Sequence, residues 1–331
     1  MGDPGGIGPE LVIKALAEVM DKPRVSFVVV GNLEVMSEAA KRFGTTRMKR
    51  LWDRCPRIDS REEAKRLAGR PLVFLSSGNL LFRDLEPGRP GAREGEAAWR
   101  SLEEALALVS QGICHALVTA PVSKAALKAA GFPSPGHTDW LALRTKSRAV
   151  MMLAVGRFRV VPVTVHVPLS DVTSDLSADK VLETITTVDF ELKDKFRISR
   201  PRIAVAGLNP HAGEGGMLGT EEQEVIAPAV EMARSRRILV TGPHPADIMF
   251  TSTARKGYDA AVCMYHDQAM IPVKTMGMDK AVNVTLGLPL VRTSPAHGIA
   301  PDIAWKGMAR PQSMIAAVKL AIRLAKRQRC S

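Results

Sequence analysis

Three histidines each follow a short apolar run of the chain. His166, His211 and His266 come just after predicted strands and stand 45 and 55 residues apart. Neutral imidazole is a good ligand for a borderline divalent cation such as Zn2+ or Co2+. Three protein nitrogens would leave one coordination position open, which suits catalysis rather than a structural metal. Because this spacing is not a local metal motif, a hydrogen-bonded structural role stays open for each histidine. Asp267 could orient His266 or cap the next turn.

A second group of side chains is cationic and polar. Lys274, Asn283 and Arg292 are spaced nine residues apart, and His137 and Thr138 lie upstream. Lys and Arg that converge on a loop face suit a phosphate or a carboxylate. Surface charge is the alternative that the sequence alone leaves open.

The apolar pattern predicts the scaffold for these residues. Short runs rich in Val, Ile and Leu alternate with helical patterns, and most runs are continuously apolar, as in strands buried on both faces. The alternation predicts an α/β protein with helices on a mostly parallel sheet and functional loops at the carboxyl ends of strands. Pro9 fits a first helical position, and Thr220–Gln223 has the pattern of a capping box. The predicted strands are Val25–Val30, Pro71–Ser76, Ala116–Thr119, Val150–Val155, Val160–His166, Arg202–Leu208, Arg237–Val240, Ala260–Met264 and Ala281–Thr285, and the predicted helices are Pro9–Met20, Leu33–Arg42, Gly95–Gln111, Ala178–Leu192, Thr220–Arg234 and Pro311–Lys326.

Composition and charge exclude several classes of protein. The 331 residues are 46% hydrophobic and 24% charged, which excludes a disordered, coiled-coil or collagen-like chain. The formal net charge of +12 leaves two partners open, a nucleic acid or a small anionic substrate. The basic stretches Lys41–Arg70, Lys193–Arg202 and Arg323–Arg329 lack the aromatic residues that stack on bases. They are therefore interpreted as solvated surface, with no nucleic acid as partner.

Cysteine spacing and hydropathy bear on the protein's location. Cys55, Cys114, Cys263 and Cys330 form no C-x-x-C pair, as expected of idle thiols in a reducing cytosol. No apolar run reaches the roughly 18 residues that a membrane span needs. The first residues lack the basic and apolar regions of a signal peptide. We therefore expect a cytoplasmic protein with no membrane partner.

Three common α/β chemistries lack their motifs. The sequence contains no G-x-G-x-x-G dinucleotide fingerprint, no G-x-x-x-x-G-K-[ST] phosphate loop and no G-x-S-x-G nucleophile elbow. Their absence leaves room for a less common chemistry.

Five longer motifs lie along nearly the whole chain. They are Gly2–Glu10 (GDPGGIGPE), Gly136–Asp139 (GHTD), Gly207–Glu214 (GLNPHAGE), Met264–Gln268 (MYHDQ) and Asn283–Ser294 (NVTLGLPLVRTS). In these motifs and their order the chain resembles the 4-hydroxythreonine-4-phosphate dehydrogenase (PdxA) family of pyridoxal phosphate (pyridoxine) biosynthesis.

The resemblance implies an architecture. It implies an isocitrate/isopropylmalate-dehydrogenase-like α/β fold, with two α/β/α domains and a cleft between them. The first domain would comprise residues 1–126 and 304–331. The second, residues 127–303, would carry most of the metal, substrate and dimer-interface residues. A homodimer with the active site at the interface is implied as well.

The resemblance also implies cofactors and site residues. One divalent metal ion (Zn2+, Co2+ or Mg2+) is implied, and the segment His297–Ala304 is similar to the adenosine-binding loop of decarboxylating hydroxyacid dehydrogenases. Such a loop would explain how NAD or NADP binds without the usual fingerprint. The implied residues are His166, His211 and His266 for the metal; His137, Thr138, Lys274, Asn283 and Arg292 for the substrate; Asp247 and Asp267 for catalysis; and His297, Gly298 and Asp302 for the cofactor.

The implied reaction is oxidation of 4-phosphooxy-L-threonine by NAD+, followed by loss of CO2 to give 3-amino-2-oxopropyl phosphate. The metal would lower the pKa of the substrate hydroxyl, and the cations would fix the phosphate. A catabolic relative acting on 4-phospho-D-threonate or 4-phospho-D-erythronate is the alternative, and a nucleic-acid-binding protein is a remote one. A relative acting on aromatic cis-dihydrodiols is disfavoured because Asn283–Arg292 is intact.

The sequence departs from the family pattern at several points. The family has a short strand before its Gly-Asp-Pro motif, whereas here the motif follows Met1 directly. Either the start of the sequence is placed late or a strand is missing, and a missing strand would expose a sheet edge. Ile299 and Pro301 replace the more frequent Thr and bulky apolar residue, Trp305 a frequent Gly, and Asp139 the usual Glu. The changes beside the cofactor segment leave the choice between NAD and NADP open.

Overall fold

Helices and strands alternate along most of the chain. The structure, a computed structural model, describes residues 1–21 and 25–328. Cys330, and Arg329 of the basic C-terminal stretch, lie outside the described residues. The helices are α1 (Gly8–Val19), α2 (Leu33–Phe43), α3 (Thr46–Asp53), α4 (Arg61–Arg66), α5 (Ala92–Ser110), α6 (Lys124–Ala129), α7 (His137–Arg144), α8 (Val172–Asp175), α9 (Ala178–Asp194), α10 (Ala227–Ser235), α11 (Ala246–Met249), α12 (His266–Gly277) and α13 (Gln312–Gln328). The strands are β1 (Phe27–Gly31), β2 (Arg57–Ile58), β3 (Leu72–Ser76), β4 (Ala116–Val118), β5 (Val150–Val155), β6 (Phe158–Pro162), β7 (Arg202–Ala206), β8 (Leu239–His244), β9 (Ala260–Cys263), β10 (Val282–Leu286) and β11 (Val291–Pro295).

The chain divides into two compact units. The first unit is built from two separate segments, Met1–Ala149 and Leu288–Lys326. The second unit is Val150–Gly287, with Arg327 and Gln328 at the end of the described chain. Both units contain strands and helices, so the α/β prediction is confirmed. The family-based domain boundaries near residues 127 and 303 stay a prediction.

The first unit contains a small parallel sheet and a separate strand pair. Its sheet has the order β1-β3-β2. Helices α1, α2 and α3 bury apolar side chains against it, and the ring of Trp52 meets that of Phe74 edge-on at a centroid distance of 5.3 Å. Strand β4 pairs in parallel with β11, with Arg292 opposite Leu117. The C-terminal segment therefore supplies a strand to the same unit as the N-terminal half.

The second unit contains a mixed sheet in the order β10-β5-β6-β9-β7-β8. Strands β6, β9, β7 and β8 are mutually parallel, and every residue of β6 and β9 is buried. Continuously apolar runs are typical of such strands. Strand β5 is antiparallel to both of its neighbours, because it returns to β6 through a tight turn at Gly156, where φ is 62°. The sheet is thus mostly parallel, as predicted, with one reversed strand.

Several elements differ from their predicted bounds. The strand expected over Val160–His166 ends at Pro162, and the one expected over Arg202–Leu208 ends at Ala206. The residues beyond these ends form the loops that carry two of the histidines. Strand β2 was not predicted because it is two residues long. Helices α7 and α12, which begin at His137 and His266, were not predicted because they lack a regular apolar stripe.

The expected capping box at Thr220–Gln223 is wrong. The N–H of Gln223 donates to the main-chain oxygen of Thr220 (2.9 Å), and no side chain caps this helix start. Helix α10 is instead preceded by a π-helical turn over Glu222–Ile226. The first N–H groups of the turn donate to main-chain oxygens, so the acidic side chains of the turn are free to accept hydrogen bonds from other parts of the chain.

Two further features of the described residues concern the cysteines and the possibility of a membrane span. Cys55 and Cys263 are buried and Cys114 is half-buried, each as a free thiol. Burial raises the pKa of Cys55 and of Cys114 to about 11, so these thiols stay protonated and unreactive at neutral pH. No helix in the described part of the chain has both the length and the apolar character needed to span a membrane.

Candidate functional site

The three histidines follow three neighbouring parallel strands of the second unit. His166 comes after β6, His266 after β9 and His211 after β7, and these strands are adjacent in the order β6-β9-β7. The carboxyl ends of parallel strands share one edge of a sheet, where functional loops collect. The predicted placement of the histidines at strand ends therefore puts all three at the same edge.

Main-chain pairing continues past β6 and β9 and brings two of the histidines together. The N–H groups of Val163 and Thr164 donate to the carbonyl oxygens of Cys263 (2.8 Å) and Met264 (3.2 Å). The hydroxyl of Thr164 donates to the same Met264 oxygen at 2.8 Å. The centroids of the His166 and His266 rings consequently lie 6.0 Å apart.

A carboxylate orients the ring of His266. Nδ1 of this histidine lies 2.6 Å from Oδ1 of Asp267, a distance typical of a charge-assisted hydrogen bond. A carboxylate that accepts from Nδ1 fixes the tautomer and leaves the Nε2 lone pair for a ligand. Of the two roles that the sequence left open for Asp267, the structure shows the contact that the orienting role requires.

His211 lies on a left-handed turn after β7. Five successive residues, His211 to Gly215, have φ values between 43° and 77°. Each residue other than glycine in such a conformation costs about 1–2 kcal/mol, and backbone strain of this kind clusters at functional sites. Helix α11, which carries the exposed Asp247, contacts this turn. The predicted ligand and the predicted catalytic aspartate thus occupy neighbouring segments.

The geometry of the three histidines does not form a metal site, whereas their donor chemistry suits a metal ion. Within residues 1–21 and 25–328, no group of three or more His, Cys, Asp or Glu side chains has the arrangement of a metal site. Among the three histidines, a ring contact is observed between His166 and His266. The donor set itself, three imidazoles with a carboxylate bonded to one of them, fits a borderline divalent cation. The metal stays a prediction that rests on donor chemistry and on the shared sheet edge.

A buried cation forms a second group of polar residues, in the first unit. Arg292 on β11 is 4% exposed. Its Nη2 donates to the hydroxyl of Thr119 at 2.7 Å, and its Nη1 donates to the hydroxyl of Thr138 at 3.3 Å. Burial lowers the pKa of Arg292 to about 10, so the guanidinium is still charged at neutral pH. Two hydroxyls thereby hold a desolvated positive charge in one orientation.

His137 adds a neutral ring to the group. It is the first residue of α7 and is 7% exposed. Burial, together with the charge of Arg292, lowers the pKa of His137 to about 3. Its Nε2 is buried and has no hydrogen-bond partner among the described residues. A buried guanidinium beside an unsatisfied ring nitrogen is an arrangement that an oxyanion would complete. We call Thr119, His137, Thr138 and Arg292 the anion group.

Thr119 belongs to this group although it was not among the predicted site residues. Strand register places Arg292 opposite Leu117, and side chains two residues apart on a strand share a face. The main-chain N–H of Thr119 continues the pairing by donating to Thr293 O at 3.1 Å. The hydroxyl just beyond β4 therefore lies on the same face as the guanidinium. The signal in the sequence was the segment Thr119-Ala-Pro after a strand.

Lys274 and Asn283 lie in the second unit. Lys274 is exposed on α12. Asn283 is half-buried on β10, and its Oδ1 is buried without a hydrogen-bond partner in the described part of the chain. An unsatisfied buried acceptor is consistent with a bound donor. The predicted substrate residues are therefore divided between the two units, and His137, Thr138 and Arg292 lie together in the first unit.

The predicted cofactor residues lie on a loop after β11 in the first unit. Gly298 and Asp302 are exposed, and Nδ1 of His297 lies 3.1 Å from Gly298 O. The loop rests on the glycine-rich N-terminal segment. The N–H of Ile7 donates to Ile299 O at 3.2 Å, and a Cβ on Gly6 would lie 2.9 Å from the Ile299 Cβ. Contacts of Ile299 thus fix the loop against the N-terminal segment, while Gly298 and Asp302 stay accessible.

Trp305 fixes the end of this loop. The residue has a φ of 61°, a conformation that suits the glycine frequent in the family. Its indole N–H donates to Pro4 O at 2.8 Å, and its ring packs against Phe43 and Phe82 at centroid distances of 5.6 and 4.7 Å. Buried aromatic contacts and one hydrogen bond offset the backbone strain.

Comparisons with known proteins identify the family. The family model described as "Pyridoxal phosphate biosynthetic protein PdxA" matches residues 24–321. The chain is 46% identical over 332 residues to a 4-hydroxythreonine-4-phosphate dehydrogenase of Bradyrhizobium diazoefficiens, which covers 98% of this chain and 95% of that protein. The crystal structure of 4-hydroxythreonine-4-phosphate dehydrogenase from Klebsiella pneumoniae is 37% identical, with a TM-score of 0.83 and coverage of 98% of this chain and 96% of that one.

A solved structure with lower similarity is named for a different substrate. A terephthalate 1,2-cis-dihydrodiol dehydrogenase from Burkholderia xenovorans is 25% identical, with a TM-score of 0.65 and coverage of 98% of this chain and 96% of that one. Identity and TM-score are both lower than for the enzyme from Klebsiella pneumoniae. The chain therefore belongs to the PdxA family and is an oxidoreductase of the dehydrogenase type.

Proposed function

We propose that the chain oxidises and decarboxylates 4-phosphooxy-L-threonine to 3-amino-2-oxopropyl phosphate in pyridoxal phosphate biosynthesis. The observation that carries the proposal is the anion group, in which a buried guanidinium lies beside a buried, unsatisfied ring nitrogen. Relatives of 42–46% identity are named 4-hydroxythreonine-4-phosphate dehydrogenase. A phosphorylated acid is the kind of substrate that such a group would bind.

The anion group would bind the phosphate. Arg292 would supply charge and two N–H donors, oriented by the hydroxyls of Thr119 and Thr138. The Nε2 of His137 would supply a further hydrogen bond. Phosphate binding would neutralise the positive charge nearby and raise the pKa of His137 from its low value. Lys274 and Asn283 would contact the remaining polar groups of the substrate.

His166, His211 and His266 would hold the divalent metal ion. The ion, when bound, supplies a Lewis acid for the substrate hydroxyl and for the carbonyl that oxidation creates. Asp267 would keep Nε2 of His266 available through its bond to Nδ1. Asp247 and Asp267, both exposed carboxylates, are the candidates for the base that takes the hydroxyl proton.

The loop of His297, Gly298 and Asp302 would bind NAD or NADP. The exposed carboxylate of Asp302 is an acceptor suited to ribose hydroxyls. The bound dinucleotide supplies the hydride acceptor. Oxidation of the substrate alcohol releases a proton, which Asp247 or Asp267 would accept, and the β-keto acid that results would then lose CO2. We further propose that the protein acts as a homodimer, as the family resemblance implies.

Turnover of defined substrates tests the proposal. Purified protein with NAD+ and a divalent cation should form NADH from 4-phosphooxy-L-threonine, and a chelator should stop the reaction. Arg292→Gln should abolish turnover, whereas Arg157→Gln, at an exposed turn of the second unit, should leave it unchanged. Turnover of 4-phospho-D-threonate with none of 4-phosphooxy-L-threonine would contradict the proposed substrate.

A further inference from the structure

The left-handed turn that carries His211 is organised around one buried carboxylate. Glu222, in the π-helical turn before α10, is 3% exposed. Its Oε1 accepts from the main-chain N–H groups of Leu208 (2.7 Å) and Asn209 (2.8 Å), and its Oε2 accepts from the side-chain amide of Asn209 (3.0 Å). Two main-chain donors, and an amide that also donates to Oε2 of Glu221 at 2.7 Å, therefore meet the side chain of Glu222 just before the strained residues.

Two glycines of the loop after β7 lie close to the same carboxylate. A Cβ on Gly213 would lie 2.6 Å from Oε2 of Glu222, and a Cβ on Gly207 would lie 3.0 Å from Oε1. Gly213 also has a φ of 77°, which a side chain would disfavour. The carboxylate thus occupies the inner side of the turn, and the chain bends around it.

Gln268 ties this turn to the loop that leads to His266. Its side-chain N–H donates to Gly207 O at 2.8 Å, and its Oε1 accepts from the N–H of Met264 at 2.7 Å. One amide therefore joins the loops that follow β7 and β9. Glu222 fixes the turn internally, and Gln268 fixes it relative to its neighbour.

We propose that Glu222 is a positioning residue for His211, holding the left-handed turn in the conformation that presents the imidazole at the sheet edge. The inference about metal binding rests on the proposed function, in which His211 is a ligand. The inference about the turn itself rests only on the contacts of Glu222. Glu222→Gln replaces one carboxylate oxygen by an NH2 group, which cannot accept, so at least one of the accepted hydrogen bonds is lost. The bonds to the remaining oxygen weaken, because hydrogen bonds to an ionised acceptor are stronger than those to an amide oxygen.

Glu222→Gln tests the proposal, with Glu224→Gln as the matched control. Glu224 is exposed on the same turn. In metal-free protein, amide hydrogen exchange over residues 207–216 should become about tenfold faster in Glu222→Gln and stay unchanged in Glu224→Gln. The dissociation constant for Zn2+, measured by competition with a chromophoric chelator, should rise about 10- to 100-fold in Glu222→Gln alone. The visible absorption of the Co2+-loaded protein should change with it.

The outcomes separate the two proposals. Native exchange rates in Glu222→Gln would overturn the role of Glu222. A native protein that binds neither Zn2+ nor Co2+ would refute the metal ligands of the proposed function, and the exchange rates would still decide the role of Glu222. If Glu222→Gln does not fold, Asn209→Ala removes one of the three donors. That variant should accelerate exchange about threefold, and unchanged rates there would equally overturn the inference.

Discussion

Substitution of Thr119 by valine removes one hydroxyl from the anion group and keeps the shape of the side chain. The hydroxyl accepts from Arg292 Nη2 at 2.7 Å in a buried setting. A hydrogen bond to a charged group contributes about 1.5–3 kcal/mol, and a buried donor without a partner costs a similar amount. At 1.36 kcal/mol per factor of ten, the loss corresponds to about 10- to 150-fold.

The effect should appear in substrate binding. The anion group would hold the phosphate, which is unchanged by the reaction, so Thr119→Val should raise KM for 4-phosphooxy-L-threonine about 10- to 150-fold with kcat nearly unchanged. Steady-state rates of NADH formation give both constants. The control is Thr293→Val on β11, where the buried hydroxyl donates to Ala317 O at 3.0 Å and not to the guanidinium. Native KM in Thr119→Val, or an equal rise in Thr293→Val, would refute the positioning of Arg292 by Thr119.

Two further predictions concern stability. Burial lowers the pKa of His137 from 6.5 to about 3. Between pH 6.5 and about pH 3 the unfolded state therefore binds one more proton than the native state, so lowering the pH through this range destabilises the fold. His137→Gln should therefore reduce the pH slope of the unfolding free energy by about 1.4 kcal/mol per pH unit, and an unchanged slope in urea titrations at several pH values would exclude a neutral native His137. Lys195→Met breaks the buried pair with Glu191 (2.8 Å) and should cost about 3–5 kcal/mol. Arg47→Met, at an exposed pair with Asp21, should cost far less because solvent screens the pair, and equal losses in the two variants would contradict the difference in burial.

The elements near the site were predictable because local patterns determine them. The continuously apolar runs of β6, β7 and β9 identified buried strands, and the histidines that follow them could be placed at strand ends from chain order alone. The order β6-β9-β7 was not predictable, because strand pairing joins segments that are far apart in the sequence. Strand β5 was predicted with its observed bounds, Val150–Val155, but its reversed direction was not predicted for the same reason, although Gly156 marks its turn.

The contacts within the site were less predictable than its residues. Thr119 and Arg292 are 173 positions apart, and only the pairing of β4 with β11 brings them together. Thr220 and Gln223 matched a capping box, whereas the structure shows Glu222, which lies between them, bonded to the loop after β7. A local sequence pattern shows that a carboxylate lies near the start of a helix. Tertiary contacts determine which N–H groups donate to that carboxylate.

The two-segment construction of the first unit bears on how the protein forms during synthesis. The second unit is nearly continuous, from Val150 to Gly287, whereas the first needs Leu288–Lys326 to complete it. Contacts such as Trp305 with Pro4 and Ala309 with Glu10 span about 300 residues of chain. Domains generally fold as units while the ribosome extends the chain, so the second unit can fold as soon as it emerges. The N-terminal half must wait for the last strand and helix, and a chain cut before Leu288 has Thr119, His137 and Thr138 but not the guanidinium that they surround.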